Sequence, residues 1–339
     1  MEKIWIAGPC AAESRDQVLT TAAQLVECAR SACFPLHFFR AGVWKVRSTP
    51  DSFSGAGEQA LTWLEEVQNT YELPVCVEVL NTSHVELCAK HGIYSIWVGA
   101  RTSVNPIDVQ QIADAVRHSN FTVMVKNPMI PDLKLWIGNI ERFRQADIRQ
   151  VMAVHRGFPD VKENIYRNAP HWHLPIDLKV RIPELPILCD PSHLCGQVRW
   201  IPEVAQLAMT YGFNGLMTEC HCCPEQALSD NAQQLTPSEW ADMISRLDLR
   251  ADASGLELVK QRATLENIDN QISELLYQRM KMVDEIADIK RKNHLAVVQP
   301  QQWQQVVKRY QKHTEDSVYQ NFLKQFLKLL HQTSIERQK

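Results

Sequence analysis

The sequence lacks any uninterrupted apolar run of about 18 residues, so no membrane-spanning helix is expected. It also lacks an excess of either charge, because 36 Lys and Arg stand against 39 Asp and Glu for a formal net charge of −3. Proteins that bind nucleic acid or anionic membranes usually carry a strongly basic surface, and neither partner is therefore expected. An anionic substrate would have to be bound by a local cluster of cations.

The N-terminus lacks the features of an export signal, since an acid stands at position 2 and no long apolar segment with a small-residue cleavage site follows. Ten cysteines in a small secreted domain would suggest disulfides. In a chain of 339 residues without an export signal they indicate free thiols, with room for one metal ligand among them. The predicted location is the cytoplasm.

Short runs of apolar, β-branched and aromatic residues recur along the first two thirds of the chain, with segments of helical periodicity such as 14–31 and 58–70 between them. Eight strand–helix units in about 250 residues favour an α/β fold, a parallel (β/α)8 TIM barrel, over a doubly wound sheet. The predicted strands are 4–8, 37–41, 74–79, 95–99, 122–125, 151–155, 186–189 and 215–218.

Most of these strands end at a charged or reactive residue, and the C-terminal ends of barrel strands meet at one mouth. Exposed loops alone would give a mixture of polar types, whereas here five cations are expected to converge. Such a cluster is tolerated around a strongly anionic ligand, for which a carboxylate plus a phosphate is the obvious chemistry. The five cations are Arg40, Lys45, Arg101, Lys126 and Arg156.

Four residues at or just beyond strand ends could ligate a metal ion: Cys10, His193, Glu219 and Asp230. A thiolate, an imidazole and two carboxylates suit a divalent ion such as manganese, iron, cobalt or zinc. Two other groups, at 171–173 and 221–223, contain histidine or cysteine but lack the paired spacing of a zinc knuckle. We interpret both as loop residues.

Seven segments, in order, resemble the β subgroup of the type I 3-deoxy-D-arabino-heptulosonate 7-phosphate (DAHP) synthases over residues 4 to about 249. They are AGPCAAES (7–14), RAGVWKVRSTP (40–50), GART (99–102), VKNP (125–128), HRGF (155–158), CDPSH (189–193) and ECH…ALSD (219–230). The resemblance implies a (β/α)8 barrel that joins phosphoenolpyruvate to erythrose 4-phosphate, giving DAHP and phosphate.

The resemblance also implies residue roles. The four residues named above would hold a divalent metal, with manganese preferred and cobalt, zinc or iron as alternatives. The five cations would bind phosphoenolpyruvate, and Lys45, Arg47 and Ser48 would receive erythrose 4-phosphate. Lys45, Lys126 and His155 are the catalytic candidates, the last two as proton carriers. Val46 replaces the proline usual in this family, which frees a backbone dihedral in the second substrate's loop.

A second domain is predicted after the barrel, with boundaries at 1–250 for the barrel, 251–259 for a linker and 260–339 for the remainder. From 256 to about 294 there is neither glycine nor proline, and an apolar stripe indicates one helix of about 38 residues, or about 57 Å. A helix of that length needs a partner. Further helices are predicted from near 301 and from about 317, giving an all-α unit of three helices.

Three cations interrupt this stripe: Arg262, Arg279 and Lys290. A lone arginine there would ordinarily be a rim residue whose stem covers apolar surface. Arg279 and Lys290 are about three turns apart, share a face and could bracket a ligand about 10 Å across. Arg262 lies about 25 Å from Arg279 and cannot join that site, but it could serve the site of an antiparallel partner helix. We therefore predict an intertwined homodimer.

The last 80 or so residues resemble the all-helical chorismate mutases, with Arg262, Arg279 and Lys290 at that family's spacing and Ser334 and Gln338 at its final-helix positions. The resemblance implies binding of these residues to chorismate and its rearrangement to prephenate, with Lys290 and Gln338 donating to the ether oxygen. The stretch 299–303 reads QPQQW, where the family has an Asp and an Arg-Glu pair. One cation fewer predicts a weaker mutase, unless the register of that stretch differs.

Three other interpretations remain open. The helices could form only a dimerisation and sensing module for prephenate or chorismate. The barrel could act on a different sugar phosphate, as the octulosonate phosphate synthases do, although the fused mutase argues against this. The chain could also be a non-enzymatic binding protein. Because no domain is expected before residue 4, feedback by prephenate or chorismate is expected to act through the helical domain or the barrel itself.

Overall fold

The structure is a computed structural model that describes residues 3–45, 53–159, 165–249, 256–298, 300–310 and 316–338. The chain divides into two compact units, Met1–Asp252 and Ala253–Lys339. Among the described residues, no helix combines the length and the hydropathy that a bilayer-spanning segment requires.

The first unit is a closed barrel of eight parallel strands in sequential order, and β8 pairs with β1 to complete it. Every predicted strand is present and differs from its prediction by no more than one residue at either end, so the predicted TIM barrel is confirmed. The strands are β1 Ile4–Gly8, β2 Phe38–Ala41, β3 Val75–Val79, β4 Ser95–Val98, β5 Thr122–Lys126, β6 Gln150–His155, β7 Ile187–Cys189 and β8 Gly215–Glu219.

Helices cover the outside of the barrel. Side-chain caps fix several of their starts: Ser14 accepts a hydrogen bond from the backbone N–H of Gln17, and Thr236 forms a capping box with Glu239. The described α-helices of this unit are α1 Arg15–Ser31, α2 Glu58–Tyr71, α3 Thr82–Lys90, α4 Pro106–Ala115, α5 Leu133–Gln145, α6 His173–Arg181, α7 Pro191–Cys195, α8 Ile201–Thr210 and α9 Pro237–Ser245.

Alternate strand residues face the inside of the barrel, as the two-residue period of a strand requires. The inward residues form one buried layer, separate from the layer between strands and helices: Ile6, Cys76, Trp97, Met124, Met152, Val154, Leu188 and Met217. The charged side chains at the mouth stand two positions further along several of the same strands. Arg40, Glu78, Lys126, Asp190 and Glu219 therefore lie directly above an apolar floor.

Glycine at position 99 makes room in this charged layer. It stands two positions after Trp97, where the alternation would place another inward side chain. A Cβ there would lie 1.8 Å from Oε1 of Glu78, far inside any permitted contact. Gly99 therefore leaves the space that the Glu78 carboxylate occupies.

The second unit contains, among its described residues, three helices: α10 Leu256–Lys292, α11 Pro300–Tyr310 and α12 Ser317–Gln338. The single long helix predicted from the absence of glycine and proline is confirmed, with 37 residues. α10 and α12 run parallel, because the partners of Arg279, Asp284 and Lys290 on α12 follow in the same order along the chain. Arg337 donates to both carboxylate oxygens of Asp284, at 2.8 and 2.6 Å, and fixes this pairing.

Candidate active sites

The barrel mouth contains buried ion pairs directly above Trp97. Nη2 of Arg40 lies 3.0 Å from Oε1 of Glu219, and Nζ of Lys126 lies 2.6 Å from Oδ2 of Asp190. All four side chains are at most 5% exposed. Charges this deeply buried are tolerated only in pairs. Both cations also face the Trp97 ring, with Arg40 Cζ 5.0 Å and Lys126 Nζ 5.7 Å from its centroid.

Three of the four predicted metal ligands lie together. The Cys10 Sγ, a Glu219 oxygen and an Asp230 oxygen are all within 4.8 Å of one another. His193 stands beside this group, with Nε2 3.6 Å from Oε1 of Glu219. Asp190 orients the histidine, because its carboxylate contacts Nδ1 at 2.8 Å and accepts from the backbone N–H of His193 at 3.0 Å. Nε2 is thereby left on the side of Glu219.

The chemistry of this donor set fits a divalent cation of intermediate softness. Burial, together with the nearby Glu219 carboxylate, raises the pKa of the Cys10 thiol to about 12, and the charge of Lys45 opposes this shift. A cation placed among these groups would supply the positive charge that stabilises a thiolate and two carboxylates in a dry site. Cys10, His193, Glu219 and Asp230 are the residues that could hold it.

The remaining predicted cations surround this group with positive charge. Nζ of Lys45 donates to the Cys10 carbonyl at 2.9 Å and contacts its Sγ at 3.1 Å. Burial lowers the pKa of Arg156 to about 10, and the charge of Arg101 adds to that shift. Within the described ranges, none of these three forms an ion pair with a carboxylate, so each is available to an anionic ligand.

Two asparagines that the sequence reasoning did not single out hold Arg156 in place. Oδ1 of Asn127 accepts from the Arg156 backbone N–H at 2.7 Å, and Oδ1 of Asn168 accepts from Nη1 at 2.8 Å. Asn168 also donates to the His193 carbonyl at 2.6 Å. Asn127 directly follows Lys126 and could have been suspected, whereas no sequence signal points to Asn168.

The loop predicted to receive erythrose 4-phosphate is described only at its two ends. Arg47 and Ser48 lie outside the described residues, as does Val46. At the near end, the Lys45 backbone N–H donates to the Ser54 carbonyl at 2.9 Å. The Trp44 ring stacks on His84, with centroids 3.7 Å apart, and anchors the strand-side end of the loop.

The helical unit brings together four of the residues predicted for it. Nη1 of Arg279 donates to Oγ of Ser334 at 2.9 Å, and Nζ of Lys290 donates to Oε1 of Gln338 at 3.0 Å. Arg279 and Lys290 are about 16 Å apart along α10, but their partners are only about 6 Å apart along α12. Both cations are therefore directed toward the same small region of α12. Arg262 is exposed, well away from this group on the first half of α10.

Comparison with known proteins identifies both units. Residues 2–249 match the model of the DAHP synthetase I family, which covers most of the chain. The chain belongs to the DAHP synthetase I family. Residues 261–339 match the model of chorismate mutase type II. The two domains indicate both activities, DAHP synthase and chorismate mutase, and make the chain a bifunctional enzyme of the shikimate pathway.

Individual relatives agree with the family. A phospho-2-dehydro-3-deoxyheptonate aldolase from Thermotoga maritima is 27% identical over 253 residues, covering 75% of this chain and 71% of that protein. A crystal structure of the Thermotoga maritima enzyme superposes with a TM-score of 0.62 at 26% identity, covering 77% and 70% of the two chains. A 2-dehydro-3-deoxyphosphooctonate aldolase from Thioalkalivibrio sulfidiphilus is 27% identical over 257 residues, covering 69% of this chain and 83% of that protein.

His155 is one predicted site residue that the structure does not bring to the mouth of this DAHP synthase barrel. Because Met152 and Val154 point inward, His155 points outward at the end of β6. It is fully buried, and its ring lies 5.2 Å from Trp172 and 6.0–6.3 Å from Phe158, Phe213 and Trp136. Burial lowers the pKa of His155 to about 3.

The pKa of His155 generates a prediction about stability against pH. The unfolded chain protonates this histidine below about pH 6.5, but the folded barrel keeps it neutral, so stability should fall as pH falls. In His155→Phe, the loss of unfolding free energy between pH 6.5 and 5 should be about 2 kcal/mol smaller than in the wild type, as measured by urea unfolding. Synthase activity should stay within a few fold of wild type; a large loss would restore His155 as a proton carrier.

Proposed function

We propose that the barrel condenses phosphoenolpyruvate with erythrose 4-phosphate on a divalent metal held by Cys10, His193, Glu219 and Asp230, with manganese preferred. The proposal rests on one observation: a set of metal donors and a set of cations lie at the same barrel mouth. Soft and hard metal donors lie within a few ångströms of each other, and Lys45, which forms no carboxylate ion pair within the described ranges, contacts the Cys10 thiol.

The charge of the mouth matches that of phosphoenolpyruvate. Arg40 and Lys126 are each neutralised by a carboxylate, at 3.0 and 2.6 Å. Lys45, Arg101 and Arg156 supply three further positive charges, and among the described residues none of them is in an ion pair with a carboxylate. Phosphoenolpyruvate carries about three negative charges, one on its carboxylate and up to two on its phosphate. Binding would therefore neutralise both partners in a site that excludes much of the solvent.

The chain's own residues would direct the chemistry by position. The bound ion would act as a Lewis acid on the aldehyde oxygen of the sugar phosphate. Arg101 and Arg156 would hold phosphoenolpyruvate so that its methylene carbon faces that aldehyde. Lys45, with Arg47 and Ser48, would hold the sugar phosphate. Water then adds to the enol carbon and phosphate leaves, and Lys126, which faces the mouth, is the better-placed proton carrier of the two that the sequence suggested.

Removal of Cys10 tests the metal site. Cys10→Ala should lower DAHP formation by about 100-fold or more while leaving mutase turnover unchanged, since no metal is proposed there. A chelator should reproduce this loss, and added Mn²⁺ should reverse it. Cys88→Ala, equally buried on α3, is the matched control and should retain synthase activity.

Two results would contradict the proposal, one from this experiment and one from a product assay with a five-carbon sugar phosphate. Near-normal synthase activity in Cys10→Ala with metal still bound would show that the ligand assignment is wrong. An eight-carbon product from a five-carbon sugar phosphate, formed faster than the seven-carbon product, would favour the reaction named for the octulosonate relatives.

We further propose that Arg279, Lys290, Ser334 and Gln338 bind chorismate in a compact conformation. Arg279 would pair with one of its carboxylates, Lys290 would donate to its ether oxygen, and no covalent step is needed. The Oε1 of Gln338 already accepts from Lys290, so its amide N–H remains to donate to the ether oxygen as negative charge develops there.

A second copy of the chain would complete this unit. Leu265, Ile268, Ile272 and Leu275 form a stripe on α10 and are 46–63% exposed. An apolar groove of about 700 Å³ lies between α11 and α12, lined in part by Trp303 and Leu327. Each copy thus has one unpartnered stripe and one unpartnered groove, the arrangement from which a symmetric dimer is built. Arg262, on the same half of α10, would then reach the partner's site.

Mixing two inactive variants tests the shared site. Arg279→Ala and Arg262→Ala should each lower the mutase rate by about 30- to 1000-fold, because each removes a charged contact worth about 2–4 kcal/mol. Unfolded together and refolded as a mixture, they should recover up to about a quarter of wild-type activity. Half of the dimers in such a mixture are mixed, and each of these has one intact site of two.

The controls separate assembly from chemistry. Arg291→Ala removes an exposed cation that pairs with Asp288 and should change neither the mutase rate nor the assembly. No recovery in the mixture, with dimers still present by size-exclusion chromatography, would mean that Arg262 serves its own copy or no site at all.

Prephenate or chorismate bound to the helical unit would inhibit the barrel. A ligand can do this only if it binds more tightly to one arrangement of the enzyme than to another. In the wild type, prephenate should lower the synthase rate. In Arg279→Ala, the same titration should have little effect, while the uninhibited synthase rate stays normal. Unchanged inhibition in a variant that no longer binds prephenate by calorimetry would locate the control in the barrel.

A further inference from the structure

Two consecutive glutamines lie beneath the candidate metal site, in the loop that joins β8 to α9. Gln233 ends a short 3-10 helix, Asn231–Gln233, and Gln234 follows in extended conformation. Both side chains are 1% exposed. A buried primary amide is costly unless its hydrogen bonds are made. The hydrogen-bond partners of these two side chains therefore show which groups the loop positions.

Gln233 fixes the second oxygen of Glu219. Its Nε2 donates to Oε2 of Glu219 at 2.7 Å, whereas Arg40 contacts Oε1 at 3.0 Å. The carboxylate is therefore held at both oxygens and cannot rotate. The Oε1 of Gln233 accepts from Nη1 of Arg167 at 2.8 Å, and the same Nη1 lies 2.9 Å from Oδ1 of Asp230. The Gln233 amide thus links Glu219 to Arg167, the cation that contacts Asp230.

Gln234 connects the backbone at the other two donors, Cys10 and Asp230. Its Oε1 accepts from the backbone N–H of Cys10 at 2.9 Å, across more than 200 residues of sequence. Its Nε2 donates to the carbonyl of Ser229 at 2.8 Å. Ser229 precedes Asp230, whose φ of 49° is a left-handed conformation that a residue with a side chain seldom adopts. The glutamine therefore helps to hold that backbone in place beside Cys10.

We propose that Gln233 and Gln234 are positioning residues that set the geometry of Cys10, Glu219 and Asp230 for the metal ion. This inference rests on the metal site proposed above. Neither glutamine would touch the ion. Each would lower the cost of binding it, because the donor groups are already oriented and need not be ordered when the ion arrives.

The test measures metal binding directly, on the full chain. Gln233→Met and Gln234→Met keep the side-chain length and remove the hydrogen bonds. Each should weaken Co²⁺ and Mn²⁺ binding by about 10- to 100-fold by calorimetry. The visible ligand-field bands and the near-ultraviolet thiolate band of the Co²⁺ protein should change in shape. A residue with only a structural role would lower the unfolding temperature without altering these bands.

Matched variants keep the result interpretable. Gln68→Met removes the amide contacts to Val75 and Gly92, away from the mouth, and should leave metal affinity unchanged. Gln234→Glu keeps the acceptor for the Cys10 N–H and should recover part of the affinity lost in Gln234→Met. It also keeps the role of Gln234 testable should Gln234→Met prove insoluble.

Two outcomes would overturn the inference, and a third concerns the site itself. Wild-type affinity and unchanged Co²⁺ bands in both methionine variants would show that the glutamines do not position the donors. So would a Gln234→Glu variant no better than Gln234→Met. If instead the wild-type protein bound no Co²⁺, or Cys10→Ala left the thiolate band intact, the proposed metal site would fail rather than the role of the glutamines.

Discussion

The two-residue alternation of the closed barrel is the constraint on which the rest of this enzyme depends. Inward positions on the strands first fill the interior with apolar side chains, and on several strands the next inward position is charged. Arg40 and Lys126 thus stand above Trp97, and their carboxylate partners stand at the ends of β8 and β7. Since such charges are stable only when paired, the strand register and the electrostatics of the mouth determine each other.

Periodicity accounts for what could be predicted from the sequence. Strand positions, the barrel and the collection of Cys10, Glu219 and Asp230 all follow from short apolar runs that end in reactive residues. The same alternation, applied more strictly, would have placed His155 on the outer face, because Val154 must face inward. A strand end has two faces, and at the end of β6 they separate His155 from the mouth.

What could not be predicted lies in the loops. Gln233, Gln234 and Asn168 are far in sequence from the groups that they contact, and no period relates them. Their roles depend on local turns, including the left-handed backbone at Asp230. In the helical unit the reverse holds: the spacing of Arg279 and Lys290 was enough to predict a shared helix face, and both contact α12, because a helix converts spacing into direction.

Gly99 carries a consequence for how this barrel can diverge. Its missing side chain is the space taken by the Glu78 carboxylate, which is the far end of a flexible side chain and not backbone. A methyl group at position 99 can therefore be accepted only if that carboxylate swings away or a shorter residue replaces Glu78. Positions 78 and 99 are thus expected to vary together as the mouth diverges.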